Sequence, residues 1–234
     1  ILTHAQPSGQ EQGAIGQHAK IAYSIPKKQI TGTKSEICAM FTGIIETTGL
    51  IEEVSVSGSN KTFLVSSPLY PELKVDQSLS HDGVCLTVEK LAGGLHQVTA
   101  IDETLGKTTL GAWQKGTLIN LERCMPANGR LDGHFVQGHV DTTAECTAVT
   151  DKQGSWEYRF RLSPGFSHLI IEKGSISLNG TSLTIFDLTP DAFTVAIVPY
   201  TYQHTNIHRL QKGDRVNIEF DMIGKYINRI QGLK

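Results

Sequence analysis

At 234 residues the chain is long enough for one large domain or two small ones with real cores. Its 39% hydrophobic and 19% charged residues suit a soluble globular protein, and a formal charge of −2 supplies no basic field for nucleic acid or anionic lipid. No apolar run approaches the ~20 residues that span a bilayer, and the first thirty residues lack the apolar stretch of a secretory leader.

Residues 1–39 carry turn formers and glutamines without a sustained period. They read as an N-terminal extension, mostly disordered and without a chemical role. Met40 then opens "MFTGIIETTG". From here the chain is β in character. "KTFLVS", "VCLTVEKL", "HQVTAI", "TLINLER", "FTVAIV" and "DRVNIEF" are short, β-branched or aromatic, and separated by Gly, Asp, Asn or Pro turns. "WEYRFRL" alternates strictly, placing Trp156, Tyr158, Phe160 and Leu162 on one face.

These strands come in two copies. Residues 83–122 align with residues 180–219 without a gap, and twelve of the forty positions are identical. "DGVCLTV" (82–88) thereby pairs with "NGTSLTI" (179–185), and Cys85 faces Ser182. Upstream, "GSNKTFLVSSP" (58–68) pairs with "GSWEYRFRLSP" (154–164), and "FTGIIETT" (41–48) with "VQGHVDTT" (136–143). The copies cover residues 40–134 and 135–222. Short strands leave exposed edges unless a barrel closes them, so the expected fold is all-β: two tandem six-stranded antiparallel Greek-key barrels.

The tail, residues 223–234, repeats Ile223, Tyr226, Ile227, Ile230 and Leu233 at intervals of three and four, one apolar stripe on a short helix. The stripe fits either a helix docked on its own barrel or a self-association element, since a helix this short needs a partner surface. The four cysteines (Cys38, Cys85, Cys124, Cys146) form no CxxC pair and read as reduced thiols of a cytoplasmic protein. His134 and His139 lie five residues apart, an offset that points to opposite faces of a straight strand and argues against a shared metal site.

"MFTGIIE", "HDGVCLTV", "GHFVQGHVDTTAE", "KGSISLNGTSLT" and "VNIEFD" fall in order, and together they closely resemble the riboflavin synthase family over residues 40–234. The resemblance implies two lumazine-binding barrels and a C-terminal helix that helps form a homotrimer. It also implies conversion of two 6,7-dimethyl-8-ribityllumazine molecules into riboflavin and a ribitylamino-pyrimidinedione by transfer of a four-carbon unit. No cofactor or metal is implied; lumazine synthase is a further candidate partner. The active site would form between the first barrel of one subunit and the second of its neighbour.

By the same resemblance Gly43, Ile44 and Ile45, then Cys85, Leu86 and Thr87, then Thr99, Ala100, Ile101, Asp102, Glu103 and Thr104 line the first site. Gly138, His139 and Val140, then Ser182, Leu183 and Thr184, then Ala196, Ile197, Val198, Pro199, Tyr200 and Thr201 line the second. Cys85, His139, Ser182, Thr184 and Asp221 are the candidate catalytic groups. Lys173 would bind the ribityl chain or a ring carbonyl, and the Phe41 ring would help form the site. His134 reads more weakly, as a junction histidine. Cys85 has no obvious activator beside it in sequence, so polar contact or transient addition suits it better than strong nucleophilicity. Tyr200 departs from the family, which often carries an acid where Glu103 stands in the first copy. A non-catalytic lumazine- or flavin-binding protein of the same fold is the alternative function. A flavin-dependent reductase would need a nicotinamide-binding phrase that the chain lacks.

Overall fold

The computed structural model describes residues 40–232. The expected N-terminal extension over residues 1–39 therefore lies outside the described residues. Alternating apolar residues build two antiparallel sheets. The first contains β1 (Thr47–Ser57), β2 (Asn60–Ser66), β3 (Ser78–His81), β4 (Val84–Thr87), β5 (Lys90–Ala92), β6 (Leu95–Ala100) and β7 (Leu118–Arg123), in the order β4-β3-β7-β1-β2-β6-β5. The second contains β8 (Thr142–Asp151), β9 (Trp156–Arg161), β10 (Ser175–Leu178), β11 (Thr181–Thr189), β12 (Ala192–Ile197) and β13 (Arg215–Phe220). It closes into a six-stranded barrel in the order β10-β11-β12-β9-β8-β13.

The first sheet follows the same strand order but, against the expected six-stranded barrel, has seven strands and is left open between β4 and β5, one strand of the plan in two pieces. β11 pairs with both β10 and β12, whereas its counterpart divides the work, β4 pairing with β3 and β5 with β6. Both copies are irregular at this point. In β11 the register shifts between Phe186 and Thr189, and Asp187 sits at φ +50°. Arg159 holds Asp187 through its carbonyl and, at 2.6 Å, its carboxylate, so a bulge replaces the break.

The structure corrects one sequence pairing. Phe63 lies opposite Val98 and Tyr158 opposite Val195. Since Val98 and Val195 are equivalent, Phe63 matches Tyr158, a shift of 95 rather than the 96 read from the flanking glycines and prolines. A one-residue slip would turn the strand inside out. The register is settled instead by Phe63 and Val65 in the first core and Tyr158 and Phe160 in the second.

Short helices α1 (Asp102–Lys107) and α2 (Pro199–His204) follow β6 and β12 at equivalent positions. Thr108 and Thr205, identical in both copies, each cap the next turn by accepting from the N–H two residues on. At the end of the described chain, α3 (Met222–Gln231) buries none of its residues. Ile223, Tyr226, Ile227 and Ile230 are 51–64% exposed, so the helix does not dock its stripe on its own barrel.

The barrels meet on an internal two-fold. The turns Asp82-Gly83 and Asn179-Gly180 carry positive φ throughout, the hairpin geometry that Asp-Gly and Asn-Gly favour. They touch at their glycines: a Cβ on Gly83 would lie 2.7 Å from the Gly180 nitrogen, and one on Gly180 2.8 Å from the Gly83 nitrogen. Around them Asn120 Nδ2 donates to the Asn179 carbonyl and Asn217 Nδ2 to the Asp82 carbonyl, both at 2.9 Å.

Candidate active site

Cys85 and Thr87 face outward from the first barrel, while Val84 and Leu86 point into its core. Ser182 and Thr184 occupy the same outward face on β11. Each row is met by a segment from the opposite copy. The Cys85 N–H donates to the Gly138 carbonyl at 2.9 Å, and the Ser182 N–H to the Gly43 carbonyl at 2.8 Å. Phe41 and Val136 exchange two backbone bonds where the segments cross. The grouping expected from the chain is therefore corrected: Gly43 joins the Ser182 row and Gly138 the Cys85 row. Val140 likewise packs on the first barrel's core.

Close approach explains both glycines. A Cβ on Gly138 would stand 2.6 Å from the Cys85 Cβ, and one on Gly43 2.6 Å from the Ser182 Cβ. Their φ values of +79° and +76° also favour glycine.

Two buried glutamates, identical in the copies, hold the crossing segments. Glu122 accepts from the Thr42 N–H, the Thr42 hydroxyl and the Gly43 N–H at 2.7–3.0 Å. Glu219 accepts from the N–H groups of Gln137, Gly138 and His139 over the same range. Burial pushes Glu122 up to about 7 and Glu219 up to about 6, against the pull of those donors. The sequence reading gave neither a role. The usable signal was a carboxylate repeated inside otherwise apolar strands, "INLE" and "VNIE".

The two rows differ in their reactive groups. His134 Nδ1 lies 2.6 Å from Ser182 Oγ, and its buried Nε2 has no partner among the described residues. Burial lowers the imidazole's pKa, opposed by nearby Asp221, so the neutral ring can accept the serine proton at Nδ1. Cys85 receives no such base: burial raises its thiol pKa, with Glu219 adding to the rise and Ser78 opposing it. The thiol thus stays protonated at neutral pH. His139 follows Gly138 on the Cys85 side and is exposed. Asp221 caps α3 through the Ile223 N–H at 2.9 Å.

The remaining candidates divide by strand period. Thr99 and Ala196 face outward, with Ile101 and Val198 beyond them 55% and 56% exposed. Ala100 and Ile197 point into the cores and offer only backbone, as does Leu86; Leu183 is half-buried. Phe41 is wholly buried where the segments cross, so its ring supports the site from beneath rather than lining an open surface. Ile44 is exposed, and Ile45 reaches toward Gly180. Asp102, Glu103 and Thr104 lie in α1, where Glu103 pairs with Lys107. Pro199, Tyr200 and Thr201 open α2, and the exposed Tyr200 ring stacks on His204. Lys173, at φ +64°, holds its ammonium 5.3 Å from the Phe186 ring centre.

Two equivalent outward rows, each crossed by a segment of the opposite copy, mark a tandem β repeat, and its class is matched directly. A family model described as "Lumazine binding domain" covers residues 42–124 and 137–221. Riboflavin synthase of Bacillus subtilis is 41% identical over 191 residues, 81% of this chain and 89% of that protein. Those of Actinobacillus pleuropneumoniae and Schizosaccharomyces pombe are 38% and 34% identical, over 81% and 82% of this chain and 89% and 93% of their own. A crystal structure of LumP complexed with riboflavin shares the fold, with TM-score 0.72 at 22% identity, over 77% of this chain and 98% of that one. The chain belongs to the riboflavin synthase family, a family of enzymes of riboflavin synthesis.

Proposed function

We propose that the protein binds 6,7-dimethyl-8-ribityllumazine at two places, the Cys85–Thr87 row and the Ser182–Thr184 row. It then transfers a four-carbon unit between the two molecules, releasing riboflavin and 5-amino-6-(D-ribitylamino)uracil. The observation that carries this reading is that both copies keep an outward row, a crossing glycine and a clamping glutamate. A binder needs one working pocket; a reaction between two identical molecules needs two. Holding both in place converts a bimolecular encounter into an oriented one.

In this reading strand-edge backbone reads the pteridine edges. Each site also owns one histidine: His134 moves the proton of Ser182 at the second, and His139 works beside Cys85 at the first. The active site is completed by a neighbouring subunit in a homotrimer. Exposed Ile101, Val198 and Tyr200 beside the sites, and the open stripe of α3, support that assembly. The place of action is the cytoplasm, and lumazine synthase is a candidate partner.

The test is direct. Purified protein is incubated with the lumazine alone, and riboflavin fluorescence is followed against lumazine consumption. One riboflavin per two lumazines is expected. Tight binding at one equivalent per chain without product would overturn the enzymatic reading and leave the binding protein.

A further inference from the structure

A cleft of about 480 Å³ opens on the seam between the barrels, and none of the proposed lumazine-site residues lines it. It straddles the internal two-fold, so two like walls would be the simplest outcome of duplication. The walls are unlike. The first barrel contributes Ala112, Trp113 and Leu118; the positions 97 residues later are Arg209, Leu210 and Arg215. The first copy's wall thus carries an apolar and aromatic patch beside the polar Thr109, Gln114, Lys115 and Thr117, where the second copy carries two arginines.

The cations are only partly used by the protein. Arg209 makes no hydrogen bond or ion pair with the described residues. Arg215 donates from Nε and one amino group to Thr143, leaving its other amino group uncommitted. Negative charge in the lining is limited. Asp214 already accepts from the Gln211 N–H at 2.8 Å. Asp82 accepts both its side-chain bonds at one oxygen, from Asn120 and Asn206, and burial, the largest cause, raises its pKa to about 8.

Asn206 ties the cleft's floor to the first copy. It lines the cleft and is only 7% exposed. Its Nδ2 donates to Asp82 Oδ1 and to the Leu118 carbonyl, at 2.9 and 3.2 Å. Its Oδ1 is sealed within the fold, without a partner among the described residues.

We propose that this cleft binds a small amphipathic organic anion. A ring or short apolar body lies against Ala112, Trp113 and Leu118, and its carboxylate or phosphate sits at Arg209 and Arg215. The volume falls within the range of small-molecule pockets, and guanidinium pairs suit both anions.

Phenyl phosphate and benzoate are the probes, titrated calorimetrically into the full-length protein with and without saturating riboflavin. One equivalent per chain is expected for at least one probe, with the same affinity in both conditions and weaker binding as salt rises. Arg209→Ala should weaken it about tenfold or more, the worth of one charge-assisted hydrogen bond. Arg209→Lys should retain part of the affinity, and Lys212→Ala, outside the lining, should change nothing. Absence of binding by both probes, unchanged affinity in Arg209→Ala, competition by riboflavin, or equal binding of neutral benzyl alcohol would each overturn the proposal. A chain that makes riboflavin yet binds neither probe would refute the cleft alone.

Discussion

The two copies keep the parts of the crossing and diverge in their interiors. Gly43 and Gly138, Glu122 and Glu219, Thr87 and Thr184 repeat in place, because each is tied to a crossing segment or an outward row. The interiors have diverged. The second barrel buries Leu178 and Phe193 where the first buries His81 and His96. The imidazoles meet at 2.9 Å through their Nε2 atoms, and His81 Nδ1 bonds the Leu79 carbonyl. That network puts a proton on His81 Nδ1 and on His96 Nε2, and leaves His96 Nδ1 unpaired. A core tolerates such exchange when volume is kept. A site does not, because it is specified by direction as well as volume.

Acid should separate the barrels most. Burial lowers His81 to about 3 and His96 to about 4, below the ordinary 6.5. The unfolded chain binds these protons more readily, so stability falls as pH drops from about 6.5 toward those values. The loss should be on the order of several kcal/mol. Urea unfolding at pH 7 and pH 4 measures it. His81→Leu with His96→Phe, which installs the second barrel's pair, should flatten this part of the dependence; an unchanged slope would show that the histidines are not its source.

The next effect tests the crossing. Glu122→Gln turns one acceptor oxygen into an NH2 group facing backbone donors and should cost about 1–3 kcal/mol. Although Glu122 belongs to the first barrel, the segment it holds reaches Ser182, so ligand binding should weaken at the second site. Glu219→Gln should weaken the first. Site-resolved riboflavin titration by NMR distinguishes this crossed pattern from a direct one.

Turnover should then separate the two reactive rows. His134→Ala should lower kcat about 100-fold with a smaller change in KM, as loss of proton transfer through Ser182 requires. Cys85→Ser should keep some activity while Cys85→Ala loses most, read as the rate of lumazine consumption. Near-wild-type rates in both cysteine variants would remove the thiol from the mechanism.

The last comparison lies at the seam. Asp82→Asn copies Asn179, whose Oδ1 already accepts the equivalent N–H from Asn217 at 2.8 Å. Asp82 has a folded pKa raised to about 8, so its contribution is full below about 3.8 and is lost as pH rises through 8. The variant lacks this penalty, so it should gain stability relative to the parent as pH rises from about 3.8 to 8, with most of the gain already present at pH 7, measured by thermal unfolding at pH 4 and pH 8.

Much of this was legible along the chain. "WEYRFRL" gave its buried face because a strand has period two, and "DGVCLTV" echoed in "NGTSLTI" marked both outward rows. The errors share one cause. The 96-residue pairing followed turn residues, whereas register answers to the core on the far side of the strand. Ala100, Ile197 and Leu86 fall among the expected lining residues, but strand period turns their side chains into the cores and leaves only their backbone to line a site. His134 looked like a junction histidine, because its contact with Ser182 spans 48 residues.

By itself the sequence determined the duplication, the β class, the turns at Asp82-Gly83 and Asn179-Gly180, and the family, all of which rest on local pattern. Tertiary structure alone decided which segment serves which barrel, that the thiol at Cys85 stays protonated while Ser182 has a base, and that the seam encloses an unequal cleft. Those outcomes depend on contacts between distant residues, and on burial that only the closed fold creates.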